Sequence, residues 1–418
     1  MKAKHAPIVV SCATRFPSWA NQDMEYPDNS SESRCLFLDR PPIGGPPFAA
    51  TSAALTKTVK LRTGQLSWRR LRQSCFLNQV ALSVLAITAV LAVSANYLQA
   101  QSYTITDLGA LPGNSASKAY GLNNLGQAVG VSEGGAAIAV LFNKGSVTNL
   151  NTLNANVSVA TSIGGSSAVV GYNFFYSDPS PVPRAFLYSD GRMTDIQSDS
   201  LFPSGTQAHG VNSSGMVVGQ GWVTSSSFHV FLYAGGKMMD LGGGYQASAS
   251  AINDAGQIVG NGTTPGAFLY SNGKMVSLGI PSGSDGSSAF AIDSTGKMIA
   301  GGLYFSNGPS HAALYHDGVW TDLGAFPGAS GTSATGVNSS GVVVGTAIFP
   351  IKSYHPFRPG KHVGFVYRNG ALVDLDTLVP ANPGFTITDV AGINDLGEIL
   401  CTATNSSGSQ RAVMLRPK

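Results

Sequence analysis

One ten-residue phrase recurs from residue 101 onwards, and its period limits the folds that this chain can adopt. The clear copies read "GLNNLGQAVG", "GVNSSGMVVG", "AINDAGQIVG", "AIDSTGKMIA", "GVNSSGVVVG" and "GINDLGEILC", and a degenerate copy, "SIGGSSAVVG", spans 162–171. Aligned, they end at Gly130, Gly171, Gly219, Gly260, Ala300, Gly345 and Cys401, at spacings of 41, 48, 41, 40, 45 and 56 residues. A period of roughly 40–50 residues is typical of propellers and solenoids.

Each copy also has the same internal order of short segments. The phrase leads into a variable loop, then an aromatic segment such as "RAFLY", "HVFLY" or "VGFVY", a two-residue turn and a last short segment. The turns are Asp-Gly at 190–191 and 317–318 and Asn-Gly at 272–273 and 369–370, which favour tight antiparallel hairpins. Glycine in Asn-x-x-Gly adopts a positive φ while asparagine closes a side-chain turn. The pattern therefore predicts four strands in each of seven units.

The two ends of the repeat region complement each other. The last copy stops at "RAVMLRPK" and lacks a fourth strand, while "YTITDLGALPG" at 103–113 resembles a fourth strand without the preceding three. We therefore predict an all-β, seven-bladed β-propeller in which residues 103–109 complete the last blade. Such closure removes an exposed sheet edge, whereas an open solenoid would show atypical caps at both ends.

The phrases "TDLGALPG", "GINDLGEI" and "HAALYHDGVWTDLGAFPG" resemble the HAF extracellular repeat family, named for a His-Ala-Phe strand. The resemblance covers residues 101–418. The His-Ala-Phe motif itself is eroded, as in Arg184-Ala185-Phe186 and His311-Ala312-Ala313. The resemblance implies an extracellular or cell-envelope location and a propeller-like fold. It implies no activity and no catalytic residue.

The region before the repeat has the pattern of a targeting segment. Residues 69–100 start with three arginines, continue through an apolar stretch from Val80 to Val93, and end with small residues that suit cleavage after Ala95 or Ala100. This is the order of a secretory signal peptide. Two accounts remain open. In one, translation starts near residue 60. In the other, the segment is a short uncleaved membrane anchor with a basic cytosolic tail. We favour the signal peptide, and we interpret 1–68 as an unstructured or mis-assigned extension before the propeller domain, 101–418.

The distribution of charge and of cysteines limits the classes of partner and excludes a disulfide within the repeat region. Residues 1–100 carry 11 Lys or Arg and 5 Asp or Glu, whereas residues 101–418 carry 14 and 17. A mildly acidic body without a basic cluster argues against nucleic-acid binding. Only Cys401 lies beyond residue 100, so the propeller has no internal disulfide, and we interpret Cys401 as a small buried residue. We expect a monomer that meets a membrane only through an uncleaved signal segment.

No motif in the sequence predicts a catalytic, metal or cofactor site. His229, His311 and His362 occupy equivalent places in different units, so we interpret them as hydrogen-bonded strand residues rather than converging ligands. Asp107, Asp195, Asp240, Asp322 and Asp374 recur once per unit in the fourth strand, which favours a structural role such as binding turn amides. An enzyme should instead present acids or bases that break the repeat and converge on the axis, and we identify no such set.

Aromatic residues cluster on the insertions that follow the second strand of several units. We expect these insertions to emerge on the same face of the propeller. The insertions are Asn173–Pro183, Gln220–Ser227, Leu303–Ser310 and Thr346–Lys361. The candidate ligand-binding residues on or beside them are Phe175, Tyr176, Trp222, Tyr304, Phe305, Tyr354, Phe357 and Arg358. Rings on loops of a rigid scaffold suit recognition, including stacking on sugars, although they could equally pack under their own loops.

The sequence thus favours a secreted or cell-surface module that binds a polysaccharide or a cell-surface protein without catalysis and without a cofactor. A secreted polysaccharide hydrolase or lyase on a propeller scaffold is the alternative, because propellers host both classes. A purely structural envelope protein is a third reading.

Overall fold

Seven four-stranded antiparallel sheets make up the described part of the chain. The computed structural model describes residues 102–150, 153–176, 181–262, 266–350, 360–380, 382 and 384–418. These residues belong to one unit, Leu82–Lys418. They confirm the predicted all-β, seven-bladed propeller, whereas the extension at 1–68 and the signal segment at 69–100 lie outside them.

The blades follow one another in chain order, and each begins with its innermost strand. Blade 1 holds β2 (Ala116–Leu122), β3 (Ala128–Glu133), β4 (Ala137–Asn143) and β5 (Ser146–Asn149). Blade 2 holds β6 (Val157–Ile163), β7 (Val169–Phe174), β8 (Arg184–Ser189) and β9 (Arg192–Asp195). Blade 3 holds β10 (Thr206–Val211), β11 (Val217–Trp222), β12 (Phe228–Ala234) and β13 (Lys237–Gly242). Blade 4 holds β14 (Ser248–Ile252), β15 (Ile258–Gly262), β16 (Gly266–Ser271) and β17 (Lys274–Ser277).

The remaining blades keep the same order. Blade 5 holds β18 (Gly286–Ile292), β19 (Met298–Tyr304), β20 (His311–His316) and β21 (Val319–Gly324). Blade 6 holds β22 (Gly331–Val337), β23 (Val343–Ile348), β24 (His362–Arg368) and β25 (Ala371–Asp374), followed by a 3₁₀-helix, Leu375–Leu378. Blade 7 joins β26 (Thr386–Ile393), β27 (Ile399–Thr404) and β28 (Gln410–Pro417) to β1 (Tyr103–Asp107) from the start of the domain.

Strand β1 closes the ring, as the sequence predicts. It pairs antiparallel with β28 from Tyr103 opposite Pro417 to Asp107 opposite Val413. The Tyr103 side chain is 2% exposed and belongs to the same buried cluster as Val413 and Leu415. Closure therefore combines a five-residue ladder with apolar burial.

The hairpin between the third and fourth strands has the predicted turn geometry. Both central residues have positive φ in Asp190-Gly191, Asn272-Gly273, Asp317-Gly318 and Asn369-Gly370. That is the type I′ conformation, whose twist matches that of paired strands.

The Asn-x-x-Gly phrase forms the turn between the first and second strands, and its asparagine links neighbouring blades. In blade 1 the buried Asn123 accepts the amides of Leu125 and Gln127, and it donates to the carbonyl of Gly164 in blade 2 at 3.0 Å. Asn394 of blade 7 donates in the same way to the Asn123 carbonyl at 3.1 Å. The recurrent residue thus satisfies its own turn and bonds the next blade.

A bulge on every innermost strand explains the glycine at the end of the phrase. In blade 1 the pairing shifts between Ala119 and Gly121, and a Cβ on Gly130 would lie 1.9 Å from the Lys118 carbonyl oxygen. Since real Cβ atoms essentially never approach so closely, glycine is required there.

The structure corrects the alignment in blade 5. Its turn is one residue longer, because the Asp293 amide bonds the Met298 carbonyl five residues on rather than four. Gly301, not Ala300, therefore lies opposite Ala289 and against the Ser288 carbonyl oxygen. In blade 7, where β26 carries a second bulge, the position is Cys401, which is fully buried as predicted.

The eroded aromatic motif has a packing explanation. Phe186 and Phe365 are fully buried, and their rings lie against the glycines at the end of the phrase, Gly171 and Gly345. Blade 5 has Ala313 in the place of this phenylalanine. There the ring of Trp320, from the fourth strand, lies against Gly301 instead. A residue from another strand thus fills the volume that the motif loses.

Candidate functional site

The strand order places the connections between second and third strands, together with those between blades, on one face, which we call the loop face. The opposite face carries the two kinds of tight turn, and we call it the turn face. The insertions singled out from the sequence therefore emerge together on the loop face.

The predicted aromatic residues do not merge into one patch. Trp222 packs on Phe228 of its own hairpin, with ring centroids 5.9 Å apart, and Phe305 packs on His311 at 4.6 Å. Tyr176 is 62% exposed and Tyr304 is 40% exposed. Phe175 is partly buried. Among the described residues, no ring contact joins loop-face insertions of different blades. Tyr354, Phe357 and Arg358 lie outside the described residues.

Tyr304 is oriented towards the axis. Its hydroxyl lies 3.0 Å from the Ser288 hydroxyl, which donates to it from the innermost strand of the same blade. Of the described candidates, Tyr304 therefore connects the loop face to the axis, while Trp222 and Phe305 mainly support their own loops.

A cavity of about 410 Å³ lies at the axis, between blades 6, 7 and 1. We call it the axial cavity. Its lining is Lys118, Ala119, Tyr120, Thr335, Asp389, Val390, Ala391, Thr402 and Gln410. Most of these residues belong to the innermost strands β2, β22 and β26, which face the centre of the ring.

The bulge residue of each innermost strand explains why Tyr120 faces this cavity. In three other blades that residue bonds the next blade: Thr161 to the Ala208 carbonyl at 2.7 Å, His209 to that of Ala249, and Thr335 to that of Val390. Tyr120 makes no such bond. Its hydroxyl has no hydrogen-bond partner among the described residues, and the residue is 42% exposed.

The two charged side chains of the cavity differ in how fully they are paired within the protein. Lys118 is bound by Glu133 at 2.9 Å. Asp389 lies 3.2 Å from Nδ1 of His362, and half of its side chain remains exposed. Burial, followed by the charges of Glu133, Tyr172 and Asp389, raises the pKa of Tyr120 to about 12. The hydroxyl therefore keeps its proton at neutral pH and is available to donate a hydrogen bond.

His362 departs from the other two histidines of the eroded motif. His229 and His311 each bind the aspartate of the neighbouring fourth strand, Asp240 and Asp322, at 2.9 Å. Those carboxylates also accept the amide two residues further on, at 2.7 Å. Both predictions, a hydrogen-bonded strand histidine and a turn-binding aspartate, are confirmed there. In blade 6 the aspartate caps the 3₁₀-helix, and His362 faces the axial cavity's Asp389 instead.

A second cavity, of about 190 Å³, lies where the Asn-x-x-Gly turns meet on the turn face. Asp395 dominates it, and hydrogen bonds from Asn124, Ser294 and the Ser339 amide at 2.9–3.0 Å hold its carboxylate. Burial alone would raise the pKa of Asp395, but these hydrogen bonds together outweigh it and lower the pKa. Its polar groups are satisfied within the protein, so the axial cavity is the stronger candidate.

The sequence reading missed Lys118, Tyr120 and Asp389, although a signal was present. Aligned on the bulge, the innermost strands read "KAY", "VAT", "QAH", "SAS", "SAF", "SAT" and "DVA". The only charged residues in this alignment are Lys118 and Asp389, which come together because blades 1 and 7 are neighbours in the closed ring. Two charged residues that depart from the repeat therefore line one cavity, a lysine that is already bound by Glu133 and a single carboxylate.

The described residues offer no further obvious centre. No three His, Cys, Asp or Glu side chains among them could jointly hold a metal ion. Within the same part of the chain, no helix is long and apolar enough to span a bilayer.

We expect His209 to make stability depend on pH. Burial lowers its pKa below the ordinary value of 6.5, so below pH 6.5 the unfolded chain takes up the proton more readily than the folded one. The stability that His209 contributes is present above pH 6.5 and decreases as the pH falls towards its folded pKa. Urea unfolding at pH 7.5 and pH 5 should show a smaller loss for His209→Gln than for the wild type. Equal losses would contradict this role.

Comparisons with known proteins show similarity in structure but not in sequence. No family model and no curated protein matches the chain. TolB from Acinetobacter baumannii is 11% identical with a TM-score of 0.39, over 73% of this chain and 64% of that one. A GH74 xyloglucanase from Xanthomonas campestris is 9% identical with a TM-score of 0.44, over 72% and 52%. A structure from a study of two prolyl endopeptidases is 9% identical with a TM-score of 0.45, over 76% and 50%. The chain thus spans about half to two thirds of these proteins.

Proposed function

We propose that this chain is a secreted or cell-surface binding protein that holds a carbohydrate unit in the axial cavity without catalysis. The observation that carries the proposal is the set of hydrogen-bonding groups on the cavity wall. Tyr120 and Gln410 both line it, and neither the Tyr120 hydroxyl nor the Gln410 side-chain amide has a hydrogen-bond partner among the described residues. Unengaged groups beside a cavity are suited to a polar ligand.

The size and chemistry of the cavity support a sugar. A volume of about 410 Å³ falls within the range of roughly 300–1,000 Å³ that is usual for small-molecule sites. Its wall offers hydroxyls, an amide and a carboxylate, which can donate to and accept from the hydroxyls of a sugar ring. Tyr120 adds an aromatic surface for the apolar face of such a ring.

The loop face extends the proposed site. Tyr304 is half-exposed, and its hydroxyl contacts Ser288 of an innermost strand. Tyr176 is exposed on the loop after β7 in blade 2, the blade next to blade 1. These two rings are the aromatic candidates that we retain for contacts with a longer polysaccharide. The proposed extracellular or envelope location rests on the resemblance to HAF repeats and on the signal-like segment at 69–100.

The test is co-sedimentation of the full chain with a panel of insoluble polysaccharides. We expect retention by at least one of them, and Tyr120→Ala with Gln410→Ala should weaken it roughly tenfold or more, since each lost hydrogen bond is worth about 1 kcal/mol. Tyr245→Ala, at an exposed tyrosine outside the cavity lining, is the control and should bind as the wild type does.

Each other outcome selects another class of function. Oligosaccharide released into the supernatant would overturn the non-catalytic proposal and favour a hydrolase or lyase. Absence of retention would favour a protein partner or a structural role. Equal retention of the double variant and the wild type would remove the axial cavity from consideration.

A further inference from the structure

The axial cavity has an unbalanced charge. Its two charged lining residues are Lys118 and Asp389, but the ammonium of Lys118 is already bound by Glu133 at 2.9 Å. Among the described residues, the Asp389 carboxylate has one hydrogen-bond partner, Nδ1 of His362 at 3.2 Å, and its side chain is 50% exposed. The formal charges of Lys118, Glu133 and Asp389 sum to one net negative charge beside the cavity.

Tyr120 lies next to this charge. It lines the same cavity as Asp389, and it lies two residues from Lys118, to which Glu133 is bound at 2.9 Å. Its ring is partly exposed. The face of a tyrosine ring attracts a cation within about 6 Å, and the attraction is greater where water is excluded. A carboxylate and an aromatic face on one wall therefore suit an ammonium group.

We propose that the axial cavity selects an amino sugar with a free, protonated amine, which places its ammonium between Asp389 and the Tyr120 ring. This inference rests on the proposed function and specifies its ligand. The side-chain amide of Gln410, which also lines the cavity, then contacts a sugar hydroxyl. A lysine side chain would satisfy the carboxylate and the ring but would leave the Gln410 amide without a partner from the ligand.

The experiment compares two ligands that differ at one group. Binding of soluble glucosamine oligomers and of N-acetylglucosamine oligomers of equal length to the full chain is measured by titration calorimetry at about pH 6, where the glucosamine amine is largely protonated. We expect at least a tenfold preference for the free amine. The preference should decrease at high salt, because mobile ions screen a charge pair that is open to solvent.

Two variants test the assignment of residues. Asp389→Asn should abolish the preference while the acetylated oligomer still binds, and Asp240→Asn, at an aspartate on the outer strand of blade 3, should leave the preference intact. Melting curves of both variants show whether they fold. If Asp389→Asn fails to fold, the salt dependence of the wild type decides, and a preference that is insensitive to salt would overturn the proposal.

The failures of the two proposals can be told apart. Equal binding of both oligomers would overturn the amine selection and leave carbohydrate binding in place. Binding of neither oligomer would overturn the amino-sugar proposal, while retention on another polysaccharide would still support the proposed function. Oligolysine that binds as tightly as the glucosamine oligomer would identify a basic peptide as the ligand instead.

Discussion

Replacement of Tyr103 by alanine is expected to lower the free energy of unfolding by about 3–5 kcal/mol, which is the usual cost of truncating a fully buried aromatic side chain. Tyr103 is 2% exposed and packs in one cluster with Val413, Leu415 and Leu378. It stands at the start of the strand that closes the ring, so the cavity would form at the junction between the first and last strands of the domain. Equilibrium unfolding in urea measures the loss.

Deletion of residues 103–109 should have a larger effect than the point variant. It removes all five backbone pairs with β28 and the ion pair between Asp107 and Arg411, and it exposes β28 as a free edge. We expect a lower melting temperature and a tendency to aggregate.

Thr104→Ala is the matched control for the ring closure, since Thr104 lies in the same strand and is exposed. It should change stability by less than about 0.5 kcal/mol. If Tyr103→Ala melted like Thr104→Ala, the N-terminal strand would not be an energetic part of the propeller.

The ring closure was predictable because it follows from counting strands. The repeat period gives seven units, Asn-Gly and Asp-Gly give the hairpins, and the missing fourth strand after Arg411 matches the spare strand at Tyr103. Each of these signals is local, and each is repeated, so one degenerate copy at 162–171 does not obscure the pattern. Pairing across the ring then needs no information beyond the two ends.

The axial cavity was not predictable in the same way. Which side chains face the axis depends on the bulge in each innermost strand, and in six blades this bulge brings a carbonyl of that strand against a glycine of the paired strand. The sequence shows glycine at that place but not the contact. Lys118 and Asp389 lie far apart in the chain, and only closure of the ring makes them neighbours. The candidates were therefore sought on loops, where aromatic residues are conspicuous.

The bulge itself can be tested in blade 5, where two glycines stand side by side in β19. A Cβ on Gly301 would lie 1.8 Å from the Ser288 carbonyl oxygen and 3.2 Å from the Trp320 ring, whereas a Cβ on Gly302 would meet nothing nearer than 3.5 Å. Since a backbone carbonyl cannot move aside as a flexible side chain can, Gly301→Ala should force the bulge apart. We expect a loss of about 3 kcal/mol, the upper end of what overpacking costs, measured by urea unfolding.

Gly302→Ala is the internal control, because it adds the same methyl group to the neighbouring residue of the same strand. Gly302 does not have a positive φ and its methyl would make ordinary contacts, so stability should be unchanged or rise by up to about 1 kcal/mol through the smaller entropy of the unfolded chain. The pair also distinguishes the two alignments of blade 5. If Ala300 occupied the place next to the bulge, as the phrase alone suggests, Gly301→Ala would be tolerated as well as Gly302→Ala. A large loss of unfolding free energy for Gly301→Ala alone would therefore establish that the backbone contact determines where glycine is required, and not the position within the recurrent ten-residue phrase.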